Sequence, residues 1–327
     1  MSTVFARAPL RVSFGGGGSD LPSYYRERGG FVVSAAIDRS VYMLVTSGFQ
    51  SRFRLKHLEW EEADHHDDIT HPILREALAR HWDGGPLELA SVADAPPGTG
   101  LGSSGAYTVC VLNALHSIRG EEVDPGRLAE LASELEIDVL ERTVGKQDQY
   151  IAAHGGACAL TFNADDTVEV RPLRLGPGTV DALRDRFLLF FTGEARSASD
   201  MFGHQVSRSL AGDEAMAAQL DRTKALAREA CAALEAGDLG RCAELMNEQW
   251  EVKRERAPGT VTERVAELRK LALGAGAAGV NLMGAGGGGF LLIYAPEPVP
   301  VRAALERAGA AELPFEIAPA GCASTLF

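Results

Sequence analysis

A run of small residues ahead of an apolar stretch constrains this chain more than any other feature. The run is Asp94-Ala-Pro-Pro-Gly-Thr-Gly-Leu-Gly-Ser-Ser-Gly-Ala-Tyr107, and apolar residues follow it to Leu115. Glycine lets a backbone come close to a phosphate, and the start of a helix offers unpaired N–H groups with a partial positive charge. We therefore predict a phosphate-binding turn that opens a helix over 104–119, with a plain glycine turn as the alternative.

The run differs from two well-known phosphate signatures. No Lys-Ser or Lys-Thr pair follows its last glycine, which excludes a Walker A motif. Ser103 stands where the G-x-G-x-x-G fingerprint has its third glycine. The hydroxyls of Ser103 and Ser104 can instead bind phosphate or a magnesium ion.

Two more glycine-rich segments lie near the ends of the chain, at 15–20 and 284–289. The second contains four consecutive glycines, and each costs roughly 1 kcal/mol of backbone entropy relative to alanine. A hairpin turn needs only one or two glycines. The excess favours a close approach of a ligand or of another backbone segment.

Composition excludes several classes of protein. The net charge of −13 argues against nucleic acid as the main partner, and no apolar run is long enough to span a membrane. The five cysteines are scattered without a C-x-x-C pair, which is typical of a reduced cytoplasm and gives no zinc framework. The 327 residues suggest about two domains, with a boundary near the Gly-Pro-Gly at 176–178.

Apolar periodicity predicts a mixed α and β chain. Asp124 followed by proline marks a helix start, because aspartate caps a helix and proline suits its first turn. The predicted helices are 72–82, 104–119, 124–140, 198–211, 213–236, 238–256, 260–274 and 298–309. The predicted strands are 4–14, 30–47, a weaker one in 51–60, 157–172, 187–192, 280–283, 289–295 and 315–319.

In this order and with these neighbours, the three glycine-rich segments resemble those of the GHMP family of small-molecule kinases. The central segment carries the family's Gly-Leu-Gly-Ser-Ser pattern. The resemblance implies an α+β fold of two domains, with ATP and magnesium bound. Residues 1–177 would be like ribosomal protein S5 domain 2, and residues 178–327 would be ferredoxin-like. The implied nucleotide-binding residues are Pro97, Gly98, Gly100, Leu101, Gly102, Ser103 and Ser104.

The resemblance also implies the catalytic and metal residues. Asp148 lies in a Gly-x-x-Asp-Gln segment that carries the catalytic aspartate in this family, and Arg11 matches the basic residue of its first motif. An ordinary solvated loop around Asp148, and Arg7 in place of Arg11, are the alternatives. Magnesium would be held by Ser104 and Glu136.

Only the family spacing selects Glu136. From the residues alone, Glu134 and Glu141 are equally good candidates, since acidic residues on a helix are usually just a solvated face. Residues predicted to bind the acceptor are Gly17, Gly18, Ser19, Asp20, Tyr150, Gly286 and Gly287. Asp20 can accept two hydroxyls, although capping of the following turn explains it too, and Tyr24, Tyr25 and Tyr150 can equally be packing residues.

Within the family, the motifs resemble those of the bacterial D-glycero-α-D-manno-heptose 7-phosphate kinases, whose relatives are the fucokinase domains. This implies phosphorylation of an anomeric hydroxyl, to give the 1,7-bisphosphate. One departure is Asn281, where those kinases have a lysine before the last glycine run. Lys146 and Arg196 are hypothetical phosphate partners.

Other interpretations remain open at the level of sequence. They are a fucokinase-like or other anomeric sugar kinase, and a sensor that binds ATP and sugar without turnover. The cluster around His65 and His66 is interpreted as a polar loop rather than a metal site. We expect a cytoplasmic protein whose partner is a small sugar or sugar phosphate, with no nucleic acid or membrane partner and with a homodimer left open.

Overall fold

The computed structural model describes residues 2–195, 198–256 and 259–327. Within these residues, strands β1 to β12 are Ser2–Gly15, Gly30–Ser47, Phe53–Lys56, Trp60–Ala63, Leu87–Ala93, Ala157–Phe162, Val168–Pro172, Phe187–Phe191, Gly279–Leu282, Phe290–Tyr294, Ala311–Glu312 and Ala323–Leu326. Helices α1 to α11 are Pro22–Arg28, Pro72–His81, Ser103–Ile118, Pro125–Glu134, Gln147–His154, Pro177–Asp185, Ala198–Leu210, Glu214–Ala236, Leu239–Arg256, Glu263–Gly274 and Pro298–Arg307. A 3₁₀ turn covers His66–Asp68, and a π-helical turn covers Leu135–Val139.

The larger sheet has the order β12-β1-β2-β5-β3-β4, and β6 and β7 extend it from β2. Strand β2 pairs with β6 through residues 30–35 and with β5 through residues 41–47. Strand β1 shifts its register against β2 between Pro9 and Arg11. Proline cannot donate to the ladder, and such irregularities bend a strand and redirect its side chains. Arg11 follows directly after this irregularity.

Helix α3 packs against β1 and β2 and is buried along most of its length, because its residues from Ala106 to Leu115 are mostly apolar. It begins at Ser103, and Gly102 before it has φ = +75°, a conformation that glycine adopts without a steric penalty. The predicted helix start is therefore correct to within one residue. The glycine-rich run is the turn that connects β5 to this helix.

The second sheet has the order β11-β8-β10-β9 and is antiparallel. Helices α10 and α11 pack on it over a separate apolar cluster that includes Leu268 and Val301. Helix α9 packs against β9 and helix α8 packs against β1 and β2, so this helix pair connects the two sheets. The domain boundary at 177/178 stays a prediction.

The predicted final strand at 315–319 is wrong. Ile317 forms only an isolated bridge to Ile37, and the last strand is Ala323–Leu326, which pairs with β1 and so returns the chain to the first sheet. In place of the weaker strand predicted within 51–60, the structure has two short strands, β3 and β4. Among the described residues, no helix combines the length and apolar character needed to cross a bilayer.

Candidate active site

A cavity of about 740 Å³ lies where the three glycine-rich segments meet. The central and C-terminal segments touch through their backbones: a Cβ atom placed on Gly100 would lie 2.6 Å from the carbonyl oxygen of Met283. The N–H of Phe290 donates to the carbonyl of Thr99 at 3.1 Å, which ties the third segment to the second. At this crossing, close packing of backbone against backbone explains the surplus of glycine.

The central run forms one wall of the cavity. Its predicted nucleotide-binding residues line the wall, with one exception: Leu101 is buried in the core, and its carbonyl accepts a hydrogen bond from the backbone N–H of Arg11 at 3.0 Å. The N-cap of helix α3 is Gly102, which has no side chain to cap the helix, so its first N–H groups are available to an anion. The residues on the wall are Pro97, Gly98, Gly100, Gly102, Ser103 and Ser104.

Asp148 and Arg11 form an ion pair inside the cavity. Arg11 Nε donates to Asp148 Oδ1 at 2.8 Å, and Arg11 Nη1 donates to the carbonyl of Gly100. Asp148 lies in the first turn of α5 rather than in a loop, and Gln147 Nε2 donates to the same carboxylate oxygen at 3.0 Å. A Cβ on Gly102 would lie 3.0 Å from Asp148 Cγ, so the glycine lets the carboxylate approach the start of α3.

Asp20 is a second carboxylate in the cavity, and it is 5% exposed. Its oxygens accept hydrogen bonds from the N–H groups of Gly18 at 2.8 Å and Gln147 at 3.2 Å. Burial raises the pKa of Asp20, the charge of Asp148 raises it further, and the backbone hydrogen bonds oppose both effects. Asp20 is therefore held rigidly beside Asp148 by the backbone of two different segments.

The residues predicted to bind metal also meet. Ser104 Oγ donates to Glu136 Oε2 at 2.7 Å, and Glu136 is fully buried in the π-helical turn. Arg142 Nη1 lies 2.6 Å from the same serine oxygen and 2.7 Å from the same carboxylate oxygen. Burial raises the pKa of Glu136, and Arg142 is the strongest influence that lowers it. By contrast, Glu134 and Glu141 are exposed.

Two family models match the chain. GHMP kinases N terminal domain matches residues 71–156, and GHMP kinases C terminal matches residues 228–313. The chain belongs to the GHMP kinase family. The predicted α+β fold and the predicted phosphotransferase activity are both confirmed by this membership and by the relatives that follow.

Two curated relatives and one solved structure illustrate the similarity. D-glycero-alpha-D-manno-heptose 7-phosphate kinase of Campylobacter jejuni is 28% identical over 307 residues, which are 90% of both chains. Bifunctional fucokinase/GDP-fucose pyrophosphorylase of Arabidopsis thaliana is 27% identical over 88% of this chain and 29% of its own length. A crystal structure of a D-glycero-D-manno-heptose 1-phosphate kinase from Bacteroides thetaiotaomicron gives a TM-score of 0.81 at 25% identity, over 98% of both chains.

Not every residue predicted to bind the acceptor lies on the cavity wall of this GHMP kinase. Gly17, Gly18, Asp20 and Gly286 line it. Ser19 does not: it is buried, and its hydroxyl bonds to backbone atoms of Gly16 and Phe31, which fixes the turn. Gly287 is also off the wall, and its N–H donates to the carbonyl of Thr260 at 2.8 Å.

The tyrosines likewise have structural partners. Tyr150 is buried away from the wall, and its hydroxyl donates to Glu130 at 2.6 Å because a buried hydroxyl needs an acceptor. Lys146 donates to the same carboxylate at 3.0 Å and also lies off the wall. Tyr24 and Tyr25 are buried residues of α1, and their hydroxyls donate to Asp221 and Asp166, respectively. Arg196 lies outside the described residues, and Arg7 is exposed on β1.

Sequence reasoning missed several residues on the cavity wall. Lys253 and Arg256 come from the last turn of α9, and His71 caps α2. Arg142, described above, was missed as well. The spacing of Lys253 and Arg256 by three residues was the available signal, but apolar spacing had already explained that helix as core.

The group His65, His66 and Asp67 lies outside the cavity, with ligand atoms within 4.8 Å of one another.

Proposed function

We propose that this GHMP kinase transfers the γ-phosphoryl group of ATP to the anomeric hydroxyl of a sugar, and that the sugar is D-glycero-α-D-manno-heptose 7-phosphate. The Arg11–Asp148 ion pair carries the proposal for the chemistry, because it lies between the phosphate-binding turn and the Asp20 turn. The Campylobacter relative supports the choice of sugar. The fucokinase relative supports a neutral sugar as the second candidate.

In the proposed mechanism, the N–H groups at the start of α3 and the turn before it bind the triphosphate. Asp148 accepts the proton of the attacking hydroxyl, while that oxygen forms a bond to the γ-phosphorus and the bond to the β-phosphate oxygen breaks. Arg11 fixes the carboxylate and supplies positive charge close to the transferred group. With heptose 7-phosphate as the acceptor, the products are the 1,7-bisphosphate and ADP, and Asp148 then releases the proton to solvent.

Ser104 and Glu136 would hold the magnesium ion. Their two hard oxygens beside the phosphate-binding turn fit a cation that combines few protein ligands with substrate phosphates and water. These two oxygens already interact with a cation, because the Arg142 guanidinium contacts both of them. When bound, magnesium neutralises charge that develops on the phosphate oxygens.

Asp20 would bind the sugar. Its carboxylate is fixed by two backbone N–H groups and lines the cavity next to Asp148. A carboxylate held in this way can accept hydrogen bonds from two sugar hydroxyls and so place a third hydroxyl against Asp148. A Cβ on Gly17 would meet nothing within 4 Å, so the turn leaves room at this residue for a ring close to the chain.

A coupled ADP-release assay with magnesium and ATP tests the proposal. The acceptors are D-glycero-D-manno-heptose 7-phosphate, the unphosphorylated heptose, L-fucose, mannose and galactose, with Asp148→Asn as the inactive control. We expect turnover with the heptose phosphate and a new anomeric phosphate by phosphorus NMR. Preferred turnover of L-fucose or another neutral sugar would show that the substrate is that sugar and not the heptose phosphate. Phosphorylation away from the anomeric carbon would contradict the proposed regiochemistry.

A further inference from the structure

Two cations from the last turn of α9 face the cavity. Lys253 Nζ donates to the carbonyls of Leu282 and Gly284, the latter at 2.9 Å. Arg256 Nη1 donates to the carbonyl of Gly17 at 3.0 Å, and Nη2 donates to Thr223 at 2.7 Å. Among the residues that the structure describes, neither cation forms an ion pair with a carboxylate, so their hydrogen bonds satisfy donors without cancelling the charge.

This arrangement is unfavourable without an anion. Arg256 is 8% exposed, and its Nε has no hydrogen-bond partner among the described residues. Burial lowers the pKa of Lys253 to about 7, with further contributions from the charges of Arg256 and Arg11. Asn281 lies on the same wall, and its Oδ1 is also buried without a partner in the described part of the chain. A buried cation such as Arg256 normally has a counter-ion in direct contact, so an anionic ligand is the missing partner.

The position at the end of a helix does not by itself explain the pair. Cations are favoured near a helix C-terminus, and exposed Arg254 in the same turn fulfils that role while paired with Glu251 at 2.8 Å. A dipole interaction needs no burial, yet Lys253 and Arg256 point inward. Turning these two charged side chains inward costs desolvation free energy, and this cost indicates that they have a function at the cavity.

The contacts place Arg256 on the acceptor side. A Cβ on Gly18 would lie 2.6 Å from Arg256 Nη1, and the charge of Asp20 acts on this guanidinium. Lys253 extends the positive wall from there to Gly284, whose backbone packs against Gly100 of the central glycine-rich turn. Within the described residues, the Arg256 side chain forms hydrogen bonds with Gly17, Thr223 and Gln205, and none with the phosphate-binding turn.

We propose that Lys253 and Arg256 form an anion site for the phosphate monoester of the acceptor, and that this site selects a phosphorylated sugar over its phosphate-free counterpart. The inference rests on the proposed function, since it needs the acceptor to bind beside Asp20. Arginine matches a phosphate with two parallel hydrogen bonds, and lysine adds a point charge. Neither role depends on a basic residue at position 281.

Calorimetric titration tests this site separately from turnover. The protein is saturated with magnesium and a non-hydrolysable ATP analogue, and the titrants are heptose 7-phosphate, mannose 6-phosphate and the unphosphorylated heptose. Lys253→Met and Arg256→Gln should each weaken sugar-phosphate binding by about 10- to 100-fold, the range for loss of a charged hydrogen bond. Affinity for the neutral heptose should change less than about threefold, and Arg254→Gln is the matched control.

The outcomes separate the two proposals. Unchanged sugar-phosphate affinity in Lys253→Met, or an equal loss for the neutral heptose, would overturn the anion site. A wild type that binds neither sugar phosphate would overturn it too, even where a neutral sugar is phosphorylated. Tight binding of heptose 7-phosphate without turnover would count against the proposed function and support the anion site. Lys253→Arg should restore part of the affinity, which a merely structural lysine would not explain.

Discussion

Arg11 Nε lies 2.8 Å from Asp148 Oδ1, so one ion pair joins a strand residue to a helix residue 137 positions further along the chain. The arginine side chain is 5% exposed and the aspartate side chain is 28% exposed. The buried arginine is therefore the anchor, and the carboxylate is the partner that faces the cavity. This geometry orients Asp148 before a substrate binds, which is what a residue that receives a proton requires.

Asp148→Asn should keep nucleotide binding and lower kcat by about 10²- to 10⁴-fold, because the amide keeps the shape but cannot accept the proton. Kinetics with saturating acceptor and a separate titration with ADP measure the two effects. Asp83→Asn, at an exposed aspartate, is the control. Retained turnover in Asp148→Asn would remove this residue from the mechanism.

Arg142→Ala should lower the magnesium concentration for half-maximal activity, by about tenfold. The guanidinium contacts the same two oxygens, from Ser104 and Glu136, that we propose as metal ligands, so its removal leaves the buried carboxylate to the metal. Melting temperatures in EDTA and in magnesium chloride give a second measurement. The increase caused by magnesium should be larger in Arg142→Ala than in the wild type.

The paired substitution Ser104→Ala with Glu136→Gln should have the opposite effect, with weaker dependence of both activity and melting temperature on magnesium. Arg184→Ala removes an exposed arginine with acidic partners and serves as the control. An unchanged magnesium titration in the paired variant would displace both residues from the metal site.

The contribution of Lys253 to sugar-phosphate affinity should fall as the pH rises from 7 to 9. Burial and the facing charges of Arg256 and Arg11 lower the pKa of Lys253 to about 7, so its charged fraction decreases in this range, although a bound anion raises the pKa again. The measurement is the ratio of dissociation constants of Lys253→Met and wild type at each pH. The same ratio for Arg256→Gln should stay nearly constant below pH 9, because the pKa of Arg256 is about 10. A pH-independent ratio for Lys253 would contradict the prediction.

Tyr150→Phe should lower stability and leave the KM for the acceptor within about twofold. The hydroxyl donates to Glu130 away from the cavity, and loss of a hydrogen bond to a charged group costs about 1.5–3 kcal/mol. Denaturant unfolding measures the first effect, and the ADP-release assay measures the second. A large rise in KM with unchanged stability would support the role in substrate binding that the sequence suggested.

The choice among the acidic residues near position 136 shows where sequence reasoning stops. Glu134, Glu136 and Glu141 are chemically alike, and only family spacing selected the middle one. In the structure, Glu136 is fully buried in the π-helical turn and meets Ser104, while Glu134 is exposed and Glu141 is exposed with φ = +49°. Burial depends on which face of the turn meets α3, and the acidic residue type carries no information about that.

The missed final strand has a similar cause. All four residues of Ala323–Leu326 are exposed, so the strand has no alternation between buried and polar positions that a pattern could detect. Its backbone pairing with β1 creates it. Residues 315–319 have the more strand-like composition, but only Ile317 finds a partner, in a single bridge.

By itself, the sequence determined the local features and the family. Glycine content, the Gly-Leu-Gly-Ser-Ser run and the apolar onset at Tyr107 specified a glycine-rich turn at a helix start, for which phosphate binding stays a proposal, because those properties belong to neighbouring residues. Tertiary structure decided which distant charges meet. It paired Arg11 with Asp148, placed Arg142 on the proposed metal ligands, and turned Lys253 and Arg256 of α9 into the cavity. Contacts between residues far apart in the chain depend on the packing of whole elements, and no local pattern encodes them.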